Sequence, residues 1–262
     1  MKILITGYKG FIGQNMVNAL KDEHELSLYD WGDPPPNFEG LDWCIHLGAN
    51  SSTTEKNVDE IMRQNHDFSC LVLIACQINA VKLQYASSAS VYGLTRDFRE
   101  DAPKSPQSPY AWTKYLFDRH VTASQFHENT VVQGFRYFNV YGPHEDHKQG
   151  QASPYSTFAK QAKETGVIKL FEGSENYFRD FVPVETVIDI HKQFFNVKES
   201  GIWNVGTGKP KSFQEVAEEV AQQYNARIEY IPMPEHLKPQ YQAYTCADLT
   251  KLNKTLNDSR SS

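Results

Sequence analysis

A tyrosine and a lysine four residues apart, Tyr110 and Lys114, form the pair in this sequence best suited to proton transfer. They lie in SPYAWTK, where Ser108 suits a helix N-cap and Pro109 the first helical position, so both side chains should share one helix face. A free tyrosine has a pKa of about 10 and is a poor base at neutral pH. A nearby ammonium shifts a titrating group by about 1–3 pKa units, which exceeds the effect of a helix dipole. Lys114 is therefore predicted to lower the pKa of Tyr110, although the pair alone fits a solvated helix face equally well.

The composition limits the classes of protein that this chain can belong to. Its 262 residues carry a net charge of −6, with 40% hydrophobic and 22% charged residues, which is ordinary for a globular protein. The acidic balance argues against a nucleic-acid partner. No apolar run approaches the roughly eighteen residues of a membrane span, and MKILITG leaves no room for a signal peptide. We therefore expect a cytoplasmic protein without a membrane partner.

The four cysteines form no CxxC pair. This pattern predicts free thiols in a reducing compartment, with neither a disulfide framework nor a metal site. The residues are Cys44, Cys70, Cys76 and Cys246.

A glycine-rich turn, GYKGFIG, follows the first predicted strand, Lys2–Thr6, and precedes a helical run to about Leu20. Strand, glycine turn and helix form the context that a dinucleotide fingerprint requires. Gly7 permits the tight turn, Gly10 lets backbone N–H groups approach a pyrophosphate at the helix N-terminus, and Gly13 allows close packing. The GxxGxxG spacing differs from GxGxxG, so an ordinary βα turn is the alternative.

An acid ends the second predicted strand, Glu25–Tyr29. Asp30 stands where the fingerprint expects a carboxylate for the ribose hydroxyls of adenosine, unless it only starts a turn. Because no Lys or Arg follows before Lys56, a 2′-phosphate has no partner nearby in the sequence. The sequence therefore favours NAD as the cofactor, with NADP as the remaining possibility.

The segment after this strand is unusually short. Only twelve residues, 31–42, separate it from the next buried strand, Trp43–Leu47, and three of them are consecutive prolines. A crossover helix with a further strand does not fit, since the crossover alone needs at least about ten to twelve residues. We predict an α/β fold with a Rossmann-like, doubly wound parallel sheet that lacks one outer strand unit.

The rest of the chain continues the alternation of strands and helices. A long helix over about 58–79 carries Asn65, and the strand Val81–Ser87 leads into SSASVYG, at the sheet edge where α/β proteins place ligands. Ser88 and Ser90 there suit hydrogen bonding to a ligand, or simply loop capping. Later we predict a strand over 130–136, a loop over 139–143, a helix from Ser153-Pro154 to Gly166, a short apolar segment over 168–171, a capping box from Ser212 to Glu215 and a last strand over 227–231.

With these parts assembled, the chain resembles the extended short-chain dehydrogenase/reductases. The matching segments are ITGYKGFIG, HLGA, SSASVYG and the Tyr110-x-x-x-Lys114 pair. The second half resembles the nucleotide-sugar epimerases of that family, in particular the 6-epimerases of an ADP-linked heptose used for bacterial lipopolysaccharide. That likeness rests on GFRYFNVYGP, HKQGQAS, LFEGSENYFRDFV, WNVGTGKPKSFQEVA and YQAYTCADL, so the resemblance covers nearly the whole chain.

The resemblance implies an NAD(P)-dependent enzyme that epimerises a nucleotide-diphosphate sugar by transient oxidation and re-reduction. It also implies a smaller C-terminal α/β substrate domain, formed by about 143–176 with 205–262, beside a dinucleotide-binding domain formed by 1–142 with about 177–204. The family's assemblies suggest a homo-oligomer. Two departures stand out, since the outer unit is shortened and the chain is expected to lack the family's C-terminal helix.

The resemblance also assigns roles to residues. Tyr110 and Lys148 are the expected acid/base groups, Lys114 holds the nicotinamide ribose, Ser88 bonds the reacting oxygen, and Arg179 suits bidentate phosphate binding. From the bare sequence Lys148 fits an ordinary loop lysine better, whereas a solvated loop arginine is only the alternative for Arg179. The full cofactor set is Gly7, Gly10, Phe11, Ile12, Gly13, Asp30, Leu47, Gly48, Ala49, Asn65, Tyr110, Lys114 and Val140; the substrate set is Ser88, Asn139, Lys148, Phe171, Glu172, Gly173, Ser174, Arg179 and Tyr241.

Three other functions fit parts of the sequence. A 4-epimerase or a 4-keto reductase acting on another nucleotide sugar would use the same fold and the same Ser88, Tyr110 and Lys114. A non-catalytic dinucleotide-binding module would fit the shortened outer unit, but the intact set of three side chains opposes it. A 4,6-dehydratase is disfavoured, because Ser88-Ala89-Ser90 offers no acid to drive the loss of water.

Overall fold

A parallel sheet of six strands forms the centre of the protein, in a computed structural model that describes residues 1–52, 55, 57–123, 130–145, 148, 151–235 and 242–260. The strands of these residues are β1 Lys2–Thr6, β2 Glu25–Tyr29, β3 Trp43–His46, β4 Lys82–Ser88, β5 Val132–Tyr137, β6 Asn139–Tyr141, β7 Val167–Phe171, β8 Phe178–Arg179, β9 Phe181–Pro183, β10 Gly201–Val205, β11 Lys211–Ser212 and β12 Arg227–Ile231. The α-helices are α1 Phe11–Leu20, α2 Val58–Ile61, α3 Phe68–Ile78, α4 Pro109–Ala123, α5 Pro154–Thr165, α6 Val184–Phe194, α7 Phe213–Tyr224 and α8 Thr250–Arg260.

The strand order β10-β5-β4-β3-β1-β2 confirms the predicted Rossmann-like sheet. Each neighbouring pair runs parallel, and within the described residues no strand pairs with the outer side of β2. The segment 31–42 forms turns and irregular structure, as its three prolines predict, and leaves β2 at the edge. The prediction of a missing outer strand unit is therefore confirmed.

Helices cover both faces of the sheet, so the strands β1, β3 and β5 are buried over almost their whole length. On one face, Val72 and Leu73 of α3 and Phe117 and Val121 of α4 join a buried cluster with β3 and β4. On the other face, α1 and α6 pack against β1, β3 and β5 in two further buried clusters. Of the described residues, no helix is both long and apolar enough to cross a membrane.

A smaller α/β unit stands beside the sheet. Its parallel pair β7–β12 packs against α5 and α7 around Phe158, Ile168 and Val216. As the sequence predicts, Ser212 and Glu215 form a capping box at the start of α7, and Gly166 ends α5 with a φ of +69°. The predicted domain boundaries stay a prediction.

Several predicted elements differ in detail. The long helix predicted over 58–79 is interrupted by a π-helical turn, Met62–Asp67, between α2 and α3. The loop predicted over 139–143 begins as β6, which pairs in parallel with β9. Other strand ends differ from the predicted ones by one or two residues, as element boundaries commonly do.

The described residues end in a helix directly after the ADL segment, while the expected lack of the family's own C-terminal helix stays a prediction. Helix α8 occupies 250–260 and docks beside β10 through the buried Leu252 and through Thr255, whose hydroxyl oxygen accepts a hydrogen bond of 3.0 Å from the Trp203 indole N–H. The segment TKLNKTLNDSR is mostly polar, so few side chains signal its packing face.

Candidate active site

Tyr110 and Ser88 meet at one cavity of about 500 Å³ beside the carboxyl end of the sheet. Helix α4 begins as predicted, since the Ser108 hydroxyl accepts a hydrogen bond of 3.2 Å from the Ala111 backbone N–H. Ser88 is the last residue of β4, and its hydroxyl hydrogen-bonds with Tyr110. The end of β4 and the start of α4 therefore bring Ser88 and Tyr110 together.

The predicted lowering of the Tyr110 pKa is wrong for this structure. Burial raises the pKa of Tyr110, and the hydrogen bond with Ser88 offsets only part of that rise. Lys114 lies one turn further along α4, with its Nζ 5.9 Å from the centre of the Tyr110 ring. The ammonium instead donates a hydrogen bond of 2.9 Å to the Ala86 carbonyl oxygen. Spacing along the helix gave the shared face correctly, but burial decides the direction of the shift.

Lys114 is buried, with 6% of its surface exposed. Burial lowers the pKa of Lys114 to about 8, against a weaker opposing effect of the Asp118 carboxylate. A lysine in this state exchanges its proton readily near neutral pH, which suits a group that supports proton transfer.

A network of buried side chains links α4 to the loop after β3. The Asn65 amide donates to the Asn50 carbonyl oxygen at 2.9 Å and to the Thr113 hydroxyl at 3.1 Å, and its carbonyl oxygen accepts from the Asn50 N–H at 2.7 Å. The Thr113 hydroxyl in turn donates to the Tyr110 carbonyl oxygen at 2.7 Å. Asn65 thus bonds protein groups on two elements, while its predicted role in cofactor binding stays a prediction.

His46 extends this network to the glycine turn. Its Nδ1 lies 2.6 Å from the Thr6 hydroxyl and its Nε2 lies 2.8 Å from the Ser69 hydroxyl. The Ser69 hydroxyl itself donates to the backbone carbonyl oxygen of Asn65. The ring must therefore donate from Nε2 and accept at Nδ1. Burial and the nearby Lys114 charge lower the pKa of His46 to about 3, so the ring stays neutral.

A second cavity, of about 240 Å³, lies at the carboxyl ends of β1, β2 and β3. Its lining joins predicted cofactor residues to others that sequence reasoning missed; the predicted ones are Gly7, Gly10, Asp30, Leu47, Gly48 and Ala49, and the others are Tyr29, Trp31, Asn50, Gln64 and Phe68. The missed aromatic residues lie next to predicted ones in sequence or reach the cavity from α3. Such a mixture of glycines, an acid and aromatic rings suits an adenosine diphosphate moiety.

The shape of the glycine turn fits a dinucleotide. Gly7 has a φ of +74°, and a Cβ there would lie 2.5 Å from the Gly48 nitrogen. At Gly13 a Cβ would overlap the Gly7 carbonyl oxygen, so α1 can approach β1 only with glycine at that position. The backbone is therefore open at the N-terminus of α1, where a pyrophosphate would be held.

The apolar members of the predicted cofactor set form one contact group. Phe11 is buried in the cluster between α1 and α6, and Ile12, Leu47 and Val140 pack against that cluster. Of these four residues, Leu47 also lines the adenosine cavity.

Cations reach the adenosine cavity from distant positions in the sequence. The Arg63 guanidinium lies 5.3 Å from the centre of the Trp31 ring, which is 47% exposed. Lys9 pairs with Asp33 at 3.1 Å, and its backbone N–H donates to the Asp30 carboxylate at 3.0 Å. The local sequence argument against a 2′-phosphate partner missed both residues, because the glycine turn and the π-helical turn carry them there.

Lys148 approaches the glycine turn from the segment between β6 and α5. Its Nζ lies 4.4 Å from the centre of the Phe11 ring, and its backbone N–H donates to the Glu145 carbonyl oxygen at 2.9 Å. Burial lowers the pKa of Lys148, and the Glu145 charge opposes that change. Lys148 and Tyr110 therefore belong to different segments and do not share the lining of one cavity.

The predicted substrate residues fall into two groups. Asn139 and Arg179 line the cavity that holds Ser88 and Tyr110, together with Gln107, Thr245 and Gln242, which sequence reasoning missed although Gln242 adjoins Tyr241. Residues 171–174 run from the last residue of β7 to the start of the 3-10 turn Ser174–Asn176 and do not line this cavity. Tyr241 lies outside the described residues.

The Asp180 carboxylate holds two loops in place next to Arg179. It is fully buried, and its carboxylate accepts hydrogen bonds from the Thr207 N–H and hydroxyl, the Gly208 N–H and the Ala247 N–H at 2.6–2.9 Å. Asp180 thereby ties two loops to β8, where the Arg179 guanidinium lies 5.3 Å from the Phe213 ring.

The parallel sheet, the glycine turn and the Ser88, Tyr110 and Lys114 set define a dinucleotide-dependent enzyme of the extended short-chain dehydrogenase/reductase type. The family model for the NAD-dependent epimerase/dehydratase family matches residues 3–206. The chain belongs to this family, which confirms both the predicted family and NAD as its type of cofactor.

Solved structures with the same fold include several nucleotide-sugar epimerases. The ADP-L-glycero-D-manno-heptose 6-epimerase of Helicobacter pylori is 27% identical, with a TM-score of 0.80, and the match covers 100% of this chain and 96% of that one. The UDP-glucose 4-epimerase of Thermotoga maritima, solved with UDP-glucose, is 22% identical, with a TM-score of 0.84 and coverages of 98% and 93%. That of Thermus thermophilus, solved with NAD, is 24% identical, with a TM-score of 0.81 and coverages of 100% and 100%.

Proposed function

We propose that this protein is a nucleotide-sugar epimerase that acts on the 6-position of an ADP-linked heptose, a reaction that serves bacterial lipopolysaccharide synthesis. The observation that carries the proposal is the placement of two proton-transfer groups on separate segments. Tyr110 lies beside Ser88 at the end of β4, and the Lys148 amine lies over Phe11 after the glycine turn. A simple oxidoreductase needs only one such group.

The choice of substrate has separate support. The Helicobacter pylori heptose epimerase is similar over the whole of this chain, and the segment around Lys148 resembles that of the heptose epimerases. Arg179 in the cavity beside Ser88 suits the diphosphate of the nucleotide. A cytoplasmic location and a homo-oligomeric state stay predictions from the sequence.

The mechanism assigns each proton to a named side chain. The chemistry that bound NAD(P) supplies is the reversible oxidation of the carbinol carbon. In one orientation of the sugar, Tyr110 takes the proton of the hydroxyl group while Ser88 donates a hydrogen bond to the reacting oxygen. The resulting carbonyl then presents its other face, so that its oxygen lies near Lys148, whose ammonium group gives a proton to the inverted product. Tyr110 then holds one proton more and Lys148 one fewer, and proton exchange with the solvent restores both before the next turnover. Lys114 holds the cofactor ribose.

The test replaces each proton-transfer group in the full-length protein. Tyr110→Phe and Lys148→Ala should each lower turnover of ADP-heptose by about 10²–10⁴-fold, measured from both epimers. Lys160→Ala, which removes an exposed lysine on α5, is the matched control. Normal turnover by Lys148→Ala would contradict the assignment of two bases.

A second candidate is a 4-epimerase of a UDP-linked sugar. It is favoured by the likeness to the two UDP-glucose 4-epimerases, although that likeness shows the fold alone. Turnover of UDP-glucose but not of ADP-heptose would establish this candidate. Bound NAD without turnover of any nucleotide sugar would instead favour a binding module.

The cofactor is proposed to be NAD, with NADP held through Arg63. Mass spectrometry of ligands that co-purify with the protein identifies the cofactor directly. Arg63→Ala should weaken NADP binding more than NAD binding, because only NADP carries a 2′-phosphate near Trp31. Equal weakening of both would show that Arg63 acts only on the Trp31 ring.

A further inference from the structure

The segment between β6 and α5 is organised around one buried carboxylate. Only 3% of Glu145 is exposed, and it lies three residues before Lys148. Its Oε1 accepts hydrogen bonds from the Gly142 N–H at 3.1 Å, the Ser153 hydroxyl at 2.7 Å and the Ser156 hydroxyl at 2.8 Å, and its Oε2 accepts from the Ser153 N–H at 2.6 Å. These bonds join the start of the segment to the N-terminus of α5.

The same segment is fixed to the helix after the glycine turn. The Asn15 amide of α1 donates to the Pro143 carbonyl oxygen at 2.8 Å and to the Phe11 carbonyl oxygen at 2.9 Å. His144 has a φ of +70°, an uncommon conformation for a residue other than glycine, which persists only where its surroundings determine it. The backbone at 142–145 is therefore set by contacts on both sides.

The position of Lys148 depends on these contacts. Its N–H bonds to the Glu145 carbonyl oxygen in a helical turn, which directs the amine across the Phe11 ring at 4.4 Å. The negative charge of Glu145 favours the protonated Lys148 amine, against the burial that lowers its pKa. The Glu145 side chain accepts four hydrogen bonds at the two ends of the connection between β6 and α5.

We propose that Glu145 is a positioning residue for Lys148: its buried carboxylate binds Gly142, Ser153 and Ser156, and its fixed backbone carbonyl holds Lys148 where the amine lies over Phe11. Glu145 does not touch the substrate on this account, and it acts only through Lys148. The inference rests on the proposed function, because a catalytic consequence requires Lys148 to be the second proton-transfer group.

The test is a double-mutant cycle in the full-length protein. Glu145→Gln keeps the size of the side chain but offers an N–H where the Ser153 N–H needs an acceptor. It should lower kcat by about tenfold or more, with little change in the KM for the nucleotide sugar. In a Lys148→Ala background the same change should lower kcat by less than about twofold, because Glu145 has then lost the group it positions.

An activity-independent readout separates this inference from the proposed function. Acetylation of Lys148 by acetic anhydride, followed by peptide mass spectrometry, reports the environment of the amine, with the exposed Lys160 as an internal standard. Glu145→Gln should change the relative labelling of Lys148 by about fivefold or more, whereas Glu218→Gln, which alters an exposed carboxylate on α7, should leave it unchanged.

The outcomes are distinct. Unchanged labelling of Lys148 in Glu145→Gln would overturn the positioning role. A kcat loss that multiplies fully with that of Lys148→Ala would overturn it as well, since Glu145 would then act independently. Normal turnover by Lys148→Ala with altered labelling in Glu145→Gln would refute the two-base function and leave the positioning contact standing.

Discussion

The two candidate proton-transfer groups are held in different ways. Tyr110 lies in the first turn of α4, a helix of 15 residues whose side chains are bonded to the central sheet. Lys148 lies in the connection between β6 and α5, where the Glu145 carboxylate accepts four hydrogen bonds from Gly142, Ser153 and Ser156. The position of Tyr110 therefore depends on the core of the protein, and the position of Lys148 on one local cluster.

The anchor of α4 is a buried ion pair. The Asp118 carboxylate accepts a hydrogen bond of 2.8 Å from the Arg136 guanidinium of β5 and one of 3.0 Å from the Tyr85 hydroxyl of β4. Both charged side chains are at most 5% exposed. Because one helix carries both Tyr110 and the Asp118 side of this pair, a change near Tyr110 should alter the free energy of global unfolding. A change near Lys148 should alter only the local opening of its own connection.

Removing the anchor should have the largest effect. Asp118→Ala leaves Arg136 buried without its partner, and we expect the free energy of unfolding to fall by about 3–5 kcal/mol in urea titrations. Asp97→Ala breaks the exposed pair with Arg99, and it should leave the unfolding midpoint nearly unchanged. Similar losses for the two variants would contradict the view that α4 is held by its buried pair.

The next effect is the pH dependence of stability caused by Lys114. Its pKa is about 8 in the folded protein and about 10.4 when unfolded, so between these values the unfolded chain binds more protons. Stability therefore rises with pH through this window. Lys114→Met should be more stabilising below pH 8 than at pH 10.5, by on the order of 3 kcal/mol.

Chemical denaturation of both proteins across that pH range is the measurement. Lys160→Met, which removes an exposed lysine, should show a difference from wild type that does not vary with pH. Lys148→Met should vary in the same direction as Lys114→Met, because burial lowers the pKa of Lys148 too. A flat difference for Lys114→Met would show that its ammonium is better solvated than its burial indicates.

Features on the Tyr110 side were largely predictable from sequence. The Ser108 cap, the shared face of Tyr110 and Lys114, and the glycine turn are each encoded within a few residues, and helix and turn geometry fixes them. The missing outer strand was equally local, since twelve residues with three prolines cannot form a full crossover unit.

What the sequence did not predict depends on tertiary contacts. The pKa of Tyr110 is raised because neighbours far along the chain bury it. Arg63 reaches Trp31 only because the π-helical turn turns it there. Glu145 looked like any loop carboxylate, since its four donors become neighbours only when the segment closes onto α5.

Breaking the link between α4 and the cofactor loop should have an intermediate effect. Asn65→Ala removes a buried side chain and leaves the partly buried Asn50 N–H without its acceptor, so we expect the free energy of unfolding to fall by about 1–3 kcal/mol. Turnover should fall as well, because Thr113, whose hydroxyl donates to the Tyr110 carbonyl oxygen, loses its hydrogen bond to Asn65. Asn79→Ala, which removes an exposed amide bond at the end of α3, is the matched control and should have little effect on either.

The smallest expected loss of stability concerns the hydrogen bonds around Glu145, near Lys148. Ser153 both caps α5 and bonds Glu145 through its hydroxyl, whereas Ser212 caps α7 without any contact to Glu145. Each Ser→Ala change should cost about 1 kcal/mol as the loss of a helix cap. Hydrogen exchange should then separate the two variants, since Ser153→Ala should speed exchange at 142–145 and in the first turn of α5, and Ser212→Ala only in α7. Faster exchange in α4 of the Ser153→Ala protein would contradict the comparison, because it would mean that the surroundings of Lys148 and the helix of Tyr110 open as one unit.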